Sequence, residues 1–220
     1  MDRSFFLERM YPMQDTVLAR LASIETEFYL TGGTAASRGY LHHRFSDDLD
    51  LFVNDDARFA VWAQRVIQML TAGIEWRVEM VQRDARFVRV NVAGGDVVLK
   101  VEMVNDVPAH VGELRVHPVL GRLDSPENIL ANKLTAVVDR REPKDLADIW
   151  GFCCRMSLSC ESVLEAAQSK AAGLFPADVA RVLLTVTNDD WRLVRWSDAP
   201  DRDRFIADLN AIGERLLLLR

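Results

Sequence analysis

The stretch that decides the fold reads LTGGTA at residues 30–35, followed by FSDDLDLF at residues 45–52. The second part alternates polar and apolar residues, which predicts a β-strand at Leu49–Val53. Because successive side chains of a strand point to opposite faces, Asp48 and Asp50 share one face. Two such carboxylates repel each other, and a divalent cation such as Mg²⁺, which prefers oxygen ligands, would remove the repulsion. The pattern indicates a metal-binding strand; a solvent-facing edge strand with two ordinary aspartates is the alternative.

The glycine pair in the first part predicts a sharp turn from a strand into a helix. The strand is expected at Phe28–Thr31, and the helix follows Gly32 and Gly33. Amides at a helix N-terminus can bind phosphate, and the Thr34 hydroxyl could join them. We therefore predict that Gly32, Gly33 and Thr34 contact a nucleotide. The alternative is that glycine is needed merely to turn tightly. The carboxylate strand that follows favours the nucleotide site, because metals on those carboxylates would bridge the phosphates.

A third carboxylate follows on another predicted strand, Val97–Val104. Alternation places Lys100 and Glu102 on one face of that strand. Two-metal nucleotidyl transfer needs such a group, to bind the second ion and to activate the attacking hydroxyl. The strand by itself favours the plainer alternative, a Lys100–Glu102 pair at the surface.

Three charged residues lie on the helices predicted further along the chain. Lys133 lies on an apolar flank of a helix expected from Ser125 to about Arg140, where lysine commonly extends to water but could instead reach a phosphate. Asp145 and Asp148 share one face of the next helix. The helix dipole already explains an acidic residue in the first turn, so a functional role for Asp145 is an additional hypothesis.

Two basic residues between the motifs are candidates for polyphosphate contact. Arg38 and Arg44 carry guanidinium groups, which pair with phosphate in a fork. His42 and His43 are adjacent, so one strand face cannot direct both to one metal, and we expect them at the rim of the site.

Composition limits the class of protein. Of 220 residues, 49% are apolar and 27% charged, which is typical of a globular chain. Acidic residues outnumber basic ones by 33 to 27, which gives a formal charge of −6. This charge argues against binding nucleic acid over a broad surface, but it permits a local basic cleft that binds RNA. The chain shows neither a signal peptide nor a run of about 20 apolar residues, and its three cysteines fit no disulfide or zinc pattern. We expect a cytoplasmic protein with no membrane segment.

The pattern predicts an α/β (α+β) fold with a change of character near residue 124. Strands alternate with helices in residues 1–124, and helices follow in residues 125–220. The expected helices are 16–25, 57–70, 125–140, 143 to about 151 or a few residues beyond, 162–172, 177–185 and 202–218. Further strands are expected at 76–82, 87–93 and 97–104.

These residues together resemble a known family, the AbiEii/AbiGii nucleotidyltransferase toxins. The resemblance is carried by LTGGTA at 30–35, HRFSDDLDLF at 43–52 and NKLTAVVDRREPKDLAD at 132–148, in the family's order. It implies a polymerase-β-like nucleotidyltransferase core with a short mixed sheet flanked by helices, followed by a helical part. Such proteins are toxins of type IV toxin–antitoxin systems or relatives with no assigned partner.

The resemblance also implies roles for particular residues. Gly33 and Thr34 match the family's glycine–hydroxyl motif, and Asp48 and Asp50 match its metal pair. Lys133 matches its helix lysine.

Asp145 matches the acidic residue that follows a basic one, which is usually arginine in the family but is Lys144 here. Glu102 stands where aspartate is common. These departures leave two functions open. The first is a Mg²⁺- or Mn²⁺-dependent transfer of a nucleoside monophosphate from an NTP such as ATP to an acceptor hydroxyl. The acceptor could be an RNA 3′ end, such as that of a tRNA, or a protein or a small molecule. The second is a silent nucleotide- or partner-binding module.

Overall fold

The computed structural model describes residues 3–168, 170 and 174–219, and the chain divides into two compact units. The first unit contains the residues up to Ala35 together with Ser46–Pro108 and Leu114–Asp124. The second contains Ala36–Phe45, Ala109–Glu113 and the residues from Ser125 onward. The second unit therefore includes two short stretches that a single cut at residue 124 would leave in the first.

One mixed sheet organises the first unit. Its strands are β1 (Tyr29–Thr31), β2 (Asp48–Asn54), β3 (Arg77–Arg83), β4 (Phe87–Gly94), β5 (Val97–Asp106), β6 (Arg115–His117) and β7 (Gly121–Leu123). Their order across the sheet is β3-β4-β5-β2-β1-β7-β6, so β2 is the central strand. β2 runs parallel to β5 and antiparallel to β1, and β1 runs parallel to β7.

The two faces of the sheet differ in burial. Leu49, Leu51 and Val53 of β2 are buried, and the intervening residues are partly exposed. β5 alternates in the same way, with Leu99 and Val101 fully buried. The alternation seen in the sequence is thus the boundary between the core face and a polar face.

Among the described residues, three helices belong wholly or partly to the first unit. They are α1 (Tyr11–Leu21), which continues the helical turns of residues 3–10, α2 (Gly32–Thr34), which continues through residue 41, and α3 (Phe59–Thr71). The predicted start and end of α1 were wrong, because Phe6 and Met10 are buried and Pro12 is accommodated in the first turn of α1. α3 buries one apolar face, including Trp62 and Val66.

Helices make up most of the second unit. They are α4 (Pro126–Arg140), α5 (Pro143–Trp150), α6 (Cys160–Ala167), α7 (Pro176–Leu183), α8 (Asn188–Leu193) and α9 (Arg202–Leu217). The end of the helix expected at 162–172 lies partly outside the described residues. α8 was not predicted, because it has six residues and too few apolar positions to show a helical period; Thr187 and Asp190 begin it with a reciprocal capping box.

The α/β prediction is confirmed, with a mixed sheet flanked by helices. β6 and β7 are additions to the prediction; each has three residues, too few for an alternating pattern to be visible in the sequence. In the part of the chain that the structure describes, every helix is too short or too polar to cross a bilayer.

The start of α4 gives a first testable prediction. Ser125 is buried, and its hydroxyl accepts a hydrogen bond from the amide of Asn128 at 3.0 Å. Removing the cap in Ser125→Ala should lower the free energy of unfolding by about 1–2 kcal/mol, measured by urea denaturation. Ser23→Ala removes an exposed hydroxyl that donates to the carbonyl of Arg20, and should change the stability by less than about 0.5 kcal/mol. Equal losses in the two variants would contradict the role of the cap.

Candidate active site

Three carboxylates and one ammonium share the polar face of the sheet in the first unit. Asp48 and Asp50 lie on β2, and the parallel pairing with β5 sets Lys100 beside Asp48 and Glu102 beside Asp50. The side chains of Asp48 and Glu102 are each 15% exposed, so these charges are largely sheltered from water without being buried. The alternation predicted for both strands therefore brings together the three carboxylates that we assigned to catalysis and metal binding.

Basic side chains offset the charge of these carboxylates. Nζ of Lys100 lies 3.1 Å from Oε1 of Glu102 and 3.5 Å from Oδ2 of Asp48. Arg89, opposite Glu102 on β4, donates from Nε to Oε1 of Glu102 at 2.7 Å. The Lys100–Glu102 pair that we considered as the plainer alternative for Glu102 is therefore present, but Lys100 also reaches across to β2.

The pKa of Lys100 reflects this setting. Partial burial would lower the pKa of Lys100, but the negative charges of Asp48 and Glu102 outweigh burial and raise it. The ammonium is thus held in its charged form.

Gly32 is required at its position for two reasons. Its φ of +66° favours glycine, and a Cβ built on it would lie 2.0 Å from Oδ2 of Asp50. The Asp50 carboxylate therefore lies directly against the Gly32 backbone. Bringing the carboxylate strand and the glycine turn together in this way is the geometric condition on which the sequence prediction depends.

The Thr34 hydroxyl has a different local role from the one expected. Thr34 is fully buried, and its Oγ1 donates to the carbonyl oxygen of Asp48 at 2.5 Å. Gln14 of α1 donates to the same carbonyl at 3.3 Å, and Ser46 Oγ donates to Oδ1 of Asp48 at 3.2 Å. These bonds fix the first residue of β2 relative to the turn, and phosphate contact by Thr34 stays a prediction.

The donor set fits a divalent cation that takes part of its coordination from a substrate. Among residues 3–168, 170 and 174–219, no three His, Cys, Asp or Glu side chains form a ready metal cage. Magnesium often binds through one or two carboxylates plus phosphate oxygens, and the Asp48–Asp50 pair supplies that number. The ammonium of Lys100 lies between the strands and pairs with Asp48 and Glu102, so two of the three carboxylates already bind a positive charge.

The remaining predicted site residues form a buried ion cluster in the second unit. Nζ of Lys133 lies 2.7 Å from Oδ1 of Asp145 and 2.9 Å from Oδ2 of Asp148. Arg44 Nε donates to Oδ1 of Asp148 and Arg44 Nη2 to Oδ2, both at 2.7 Å, and Arg140 Nε donates to Oδ2 of Asp145 at 2.9 Å. Both aspartates are fully buried.

The pKa shifts agree with matched charges inside this cluster. Burial would raise the pKa of Asp148, but Arg44 and Lys133 hold it well below its usual range. Burial would lower the pKa of Lys133, but Asp148 and Asp145 raise it. Burial would likewise raise the pKa of Asp145, but Lys133 and Arg140 lower it. Lys133 and the two aspartates are therefore ionised at neutral pH.

The cluster corrects several expectations. Lys133 does not extend to water, because only 6% of its side chain is exposed and two carboxylates bind it. The fork of Arg44 holds Asp148, so its predicted phosphate contact would need that pair to open. His43 was expected at a rim, which is wrong, since it is fully buried; His42 is exposed, with a φ of 51°.

Sequence reasoning missed Arg89, Arg140 and the linking role of Lys100. Arg89 could have been found from the hairpin, because pairing β4 with β5 through residues 94–97 puts it opposite Glu102. Arg140 lies five residues from Asp145 across a helix–helix turn, and the sequence carries no pattern for such a contact.

The contact between Gly32 and Asp50 gives a second prediction. Gly32→Ala should lower the free energy of unfolding by clearly more than about 1–2 kcal/mol, the cost of an L-residue in the left-handed region, because the new methyl must also displace the Asp50 carboxylate. Gly95→Ala is the matched control: its φ is +60° and nothing lies within 4 Å of the added Cβ. Urea denaturation of both variants measures the difference, and equal costs would show that Asp50 does not need Gly32.

His43 gives a prediction of pH dependence. Burial lowers the pKa of His43, the guanidinium groups of Arg44 and Arg155 act in the same direction, and Asp148 acts against them. The folded protein therefore keeps the ring neutral, and its stabilising contribution is present above the unfolded pKa of about 6.5 and is lost as pH falls through the folded pKa.

We expect the free energy of unfolding to fall between pH 7 and 5, by at most about 1.4 kcal/mol per pH unit for this group. Denaturant unfolding at several pH values measures the slope. His43→Gln should flatten it, whereas His117→Gln, at a partly exposed position, should leave it in place. An unchanged slope in His43→Gln would show that His43 does not cause the loss of stability at low pH.

Comparison with known proteins identifies the family. The model of the family described as nucleotidyl transferase AbiEii toxin, type IV TA system, matches residues 16–174, more than half of the chain. No curated protein sequence gives a significant match.

Solved structures show the same fold at low sequence identity. A candidate nucleotidyltransferase from H. pylori is 22% identical with a TM-score of 0.65, covering 98% of this chain and 96% of that one. JHP933 from Helicobacter pylori is 21% identical with a TM-score of 0.64, covering 95% and 90%. MenT4, a nucleotidyltransferase toxin from Mycobacterium tuberculosis H37Rv, is 17% identical with a TM-score of 0.63, covering 96% and 84%. With the family model matching across the glycine turn, the carboxylate strand and the lysine helix, the chain belongs to the AbiEii nucleotidyltransferase toxin family.

Proposed function

We propose that this chain is a metal-dependent nucleotidyltransferase that moves a nucleoside monophosphate from an NTP to an acceptor hydroxyl. The observation that carries the proposal is the convergence of Asp48 and Asp50 on one face of the central strand, with Asp50 against the Gly32 turn. Membership of a nucleotidyltransferase family supports the same reaction class.

The residues of the first unit would share the work as follows. The turn at Gly32, Gly33 and Thr34 receives the phosphates. Asp48 and Asp50 hold Mg²⁺ or Mn²⁺, which when bound neutralises phosphate charge and polarises the α-phosphorus. Glu102, or one of the aspartates, takes the proton of the acceptor hydroxyl.

The reaction is an in-line displacement. The acceptor oxygen forms a bond to the α-phosphorus, the bond from that phosphorus to the bridging oxygen breaks, and pyrophosphate leaves with the electron pair. The protein contributes position and charge more than covalent chemistry.

Lys133, Asp145 and Arg44 keep the nucleotide-binding role that we assigned to them as part of this proposal. Lys133 pairs with Asp145, and Lys133 and Arg44 both pair with Asp148. We therefore expect substitutions there to affect stability together with nucleotide affinity.

The family gives the proposal a biological setting. We propose that the chain acts as a toxin in the cytoplasm, opposed by an antitoxin, with ATP or another NTP as donor. The acceptor is a tRNA or other RNA 3′ end, a protein or a small molecule; the net charge of −6 disfavours broad RNA contact, while the family favours a tRNA-like acceptor.

A second function is favoured by three contacts. Lys100 lies where a cation would bind, Arg89 holds Glu102, and Thr34 bonds to the backbone of β2. A nucleotidyltransferase scaffold with these contacts could serve as a nucleotide- or partner-binding module without catalysis. Release of pyrophosphate distinguishes the two functions.

Transfer of label from a nucleotide tests the proposal. The protein is incubated with Mg²⁺, each α-labelled NTP, total RNA and cell lysate, and labelled acceptors are resolved. We expect transfer with at least one nucleotide, and a loss of at least about a hundredfold in Asp48→Asn and Asp50→Asn, because each removes a metal-binding charge worth several kcal/mol in the transition state.

Asp96→Asn is the matched control, since it removes an exposed carboxylate of the same unit, and it should transfer label normally. Circular dichroism checks that each variant is folded. Transfer that persists in both strand variants would remove this site from the mechanism, and absence of transfer with every acceptor fraction would favour the binding module.

A further inference from the structure

The ammonium of Lys100 lies between two strands that both carry carboxylates. Nζ is 3.1 Å from Oε1 of Glu102 on its own strand and 3.5 Å from Oδ2 of Asp48 on β2. The parallel register pairs Lys100 with Asp48 and Glu102 with Asp50. Asp50, the third carboxylate, therefore lies on the same face, two residues further along the strands. Lys100 thus lies between a carboxylate of β2 and a carboxylate of β5, next to the residue pair that holds the third.

The two basic residues of this face play different parts. Arg89 directs both Nε and Nη2 at Oε1 of Glu102, each at 2.7 Å, which fixes Glu102 from the β4 side. Lys100 instead pairs with carboxylates on both strands, Glu102 on β5 and Asp48 on β2. Of the described charged groups, Lys100 is therefore the one in direct competition with a metal ion on Asp48.

The exposure of these side chains allows exchange. The side chain of Lys100 is 38% exposed, whereas Asp48 and Glu102 are 15% exposed. A lysine ammonium is a point charge on a flexible four-carbon stem and is readily solvated. It can therefore move into water while the carboxylates stay in place.

We propose that Lys100 is a displaceable internal counter-ion of the metal site. Its ammonium holds Asp48 and Glu102 together in the metal-free protein and leaves when a divalent cation binds the aspartate pair. This inference rests on the proposed metal-binding role of Asp48 and Asp50. Lys100 is then a positioning residue that prevents the carboxylates from separating by mutual repulsion.

The exchange makes metal binding depend on the nucleotide. A divalent cation that arrives without a nucleotide has two aspartates to bind and a positive charge to displace. A cation that arrives on a triphosphate brings phosphate oxygens as additional ligands, which is how Mg²⁺ is commonly held. Lys100 therefore disfavours occupation by metal in the absence of substrate.

Binding of Mn²⁺ without nucleotide tests this inference. The affinity of the purified protein for Mn²⁺ is measured by isothermal titration calorimetry or by the electron paramagnetic resonance signal of the unbound ion. Lys100→Met keeps much of the stem and removes the charge, so it should bind Mn²⁺ more tightly by about tenfold or more, since a neighbouring positive charge is removed. Lys100→Arg keeps the charge and should bind as the unchanged protein does.

Matched variants separate this inference from the proposed function. Arg122→Met removes a positive charge from an exposed ion pair with Glu27 in the same unit and should leave the Mn²⁺ affinity unchanged. Asp48→Asn and Asp50→Asn should abolish binding. If they do not, the proposed metal site itself is wrong. If they do but Lys100→Met binds Mn²⁺ no more tightly than the unchanged protein, the counter-ion role is overturned and the metal site stands.

Discussion

Repulsion between like charges on one face of a sheet is the constraint on which the rest of the site depends. Asp48, Asp50 and Glu102 lie on adjacent parallel strands, where the backbone sets Asp50 and Glu102 one strand separation, ~4.8 Å, apart and places Asp48 two residues from Asp50 along β2. Lys100 and Arg89 reduce the repulsion from the side of β5 and β4. Bonds from Thr34 and Gln14 to the carbonyl of Asp48 anchor the strand at its first residue. The site is therefore assembled against an electrostatic cost, as is common where titratable groups cluster at a functional site.

Much of this site could be predicted from the sequence because it depends on local periodicity. The period of two put Asp48 and Asp50 on one face and Lys100 with Glu102 on one face, and the structure has both. The α/β fold and the start of α4 at Ser125 followed from equally local signals. What the sequence could not supply was the pairing of β2 with β5, because the partner of a strand depends on tertiary topology and leaves no pattern within either strand.

The buried ion cluster is a second case in which the sequence predicted which residues share a face but not their tertiary contacts. Helical spacing predicted that Asp145 and Asp148 share a face, but not that Lys133 and Arg44 would be buried on them. A lysine on an apolar flank ordinarily reaches water, and burial of its charge is acceptable only where counter-charges are supplied. Those counter-charges come from Asp145 and Asp148 on the next helix, and the way two helices pack cannot be read from the helix that carries Lys133. His43 was misplaced for the same reason.

The two-residue connection between β4 and β5 has a consequence for how this family can change. Residues 95 and 96 join the paired ends Gly94 and Val97, and β5 in turn aligns with β2. Inserting or deleting one amino acid between the connection and Lys100 would turn Lys100 and Glu102 toward the apolar core. Length variation there should therefore be tolerated in even steps, or where a bulge absorbs the odd residue. In an alignment of related sequences, gaps between the hairpin and the position of Lys100 should therefore contain even numbers of residues.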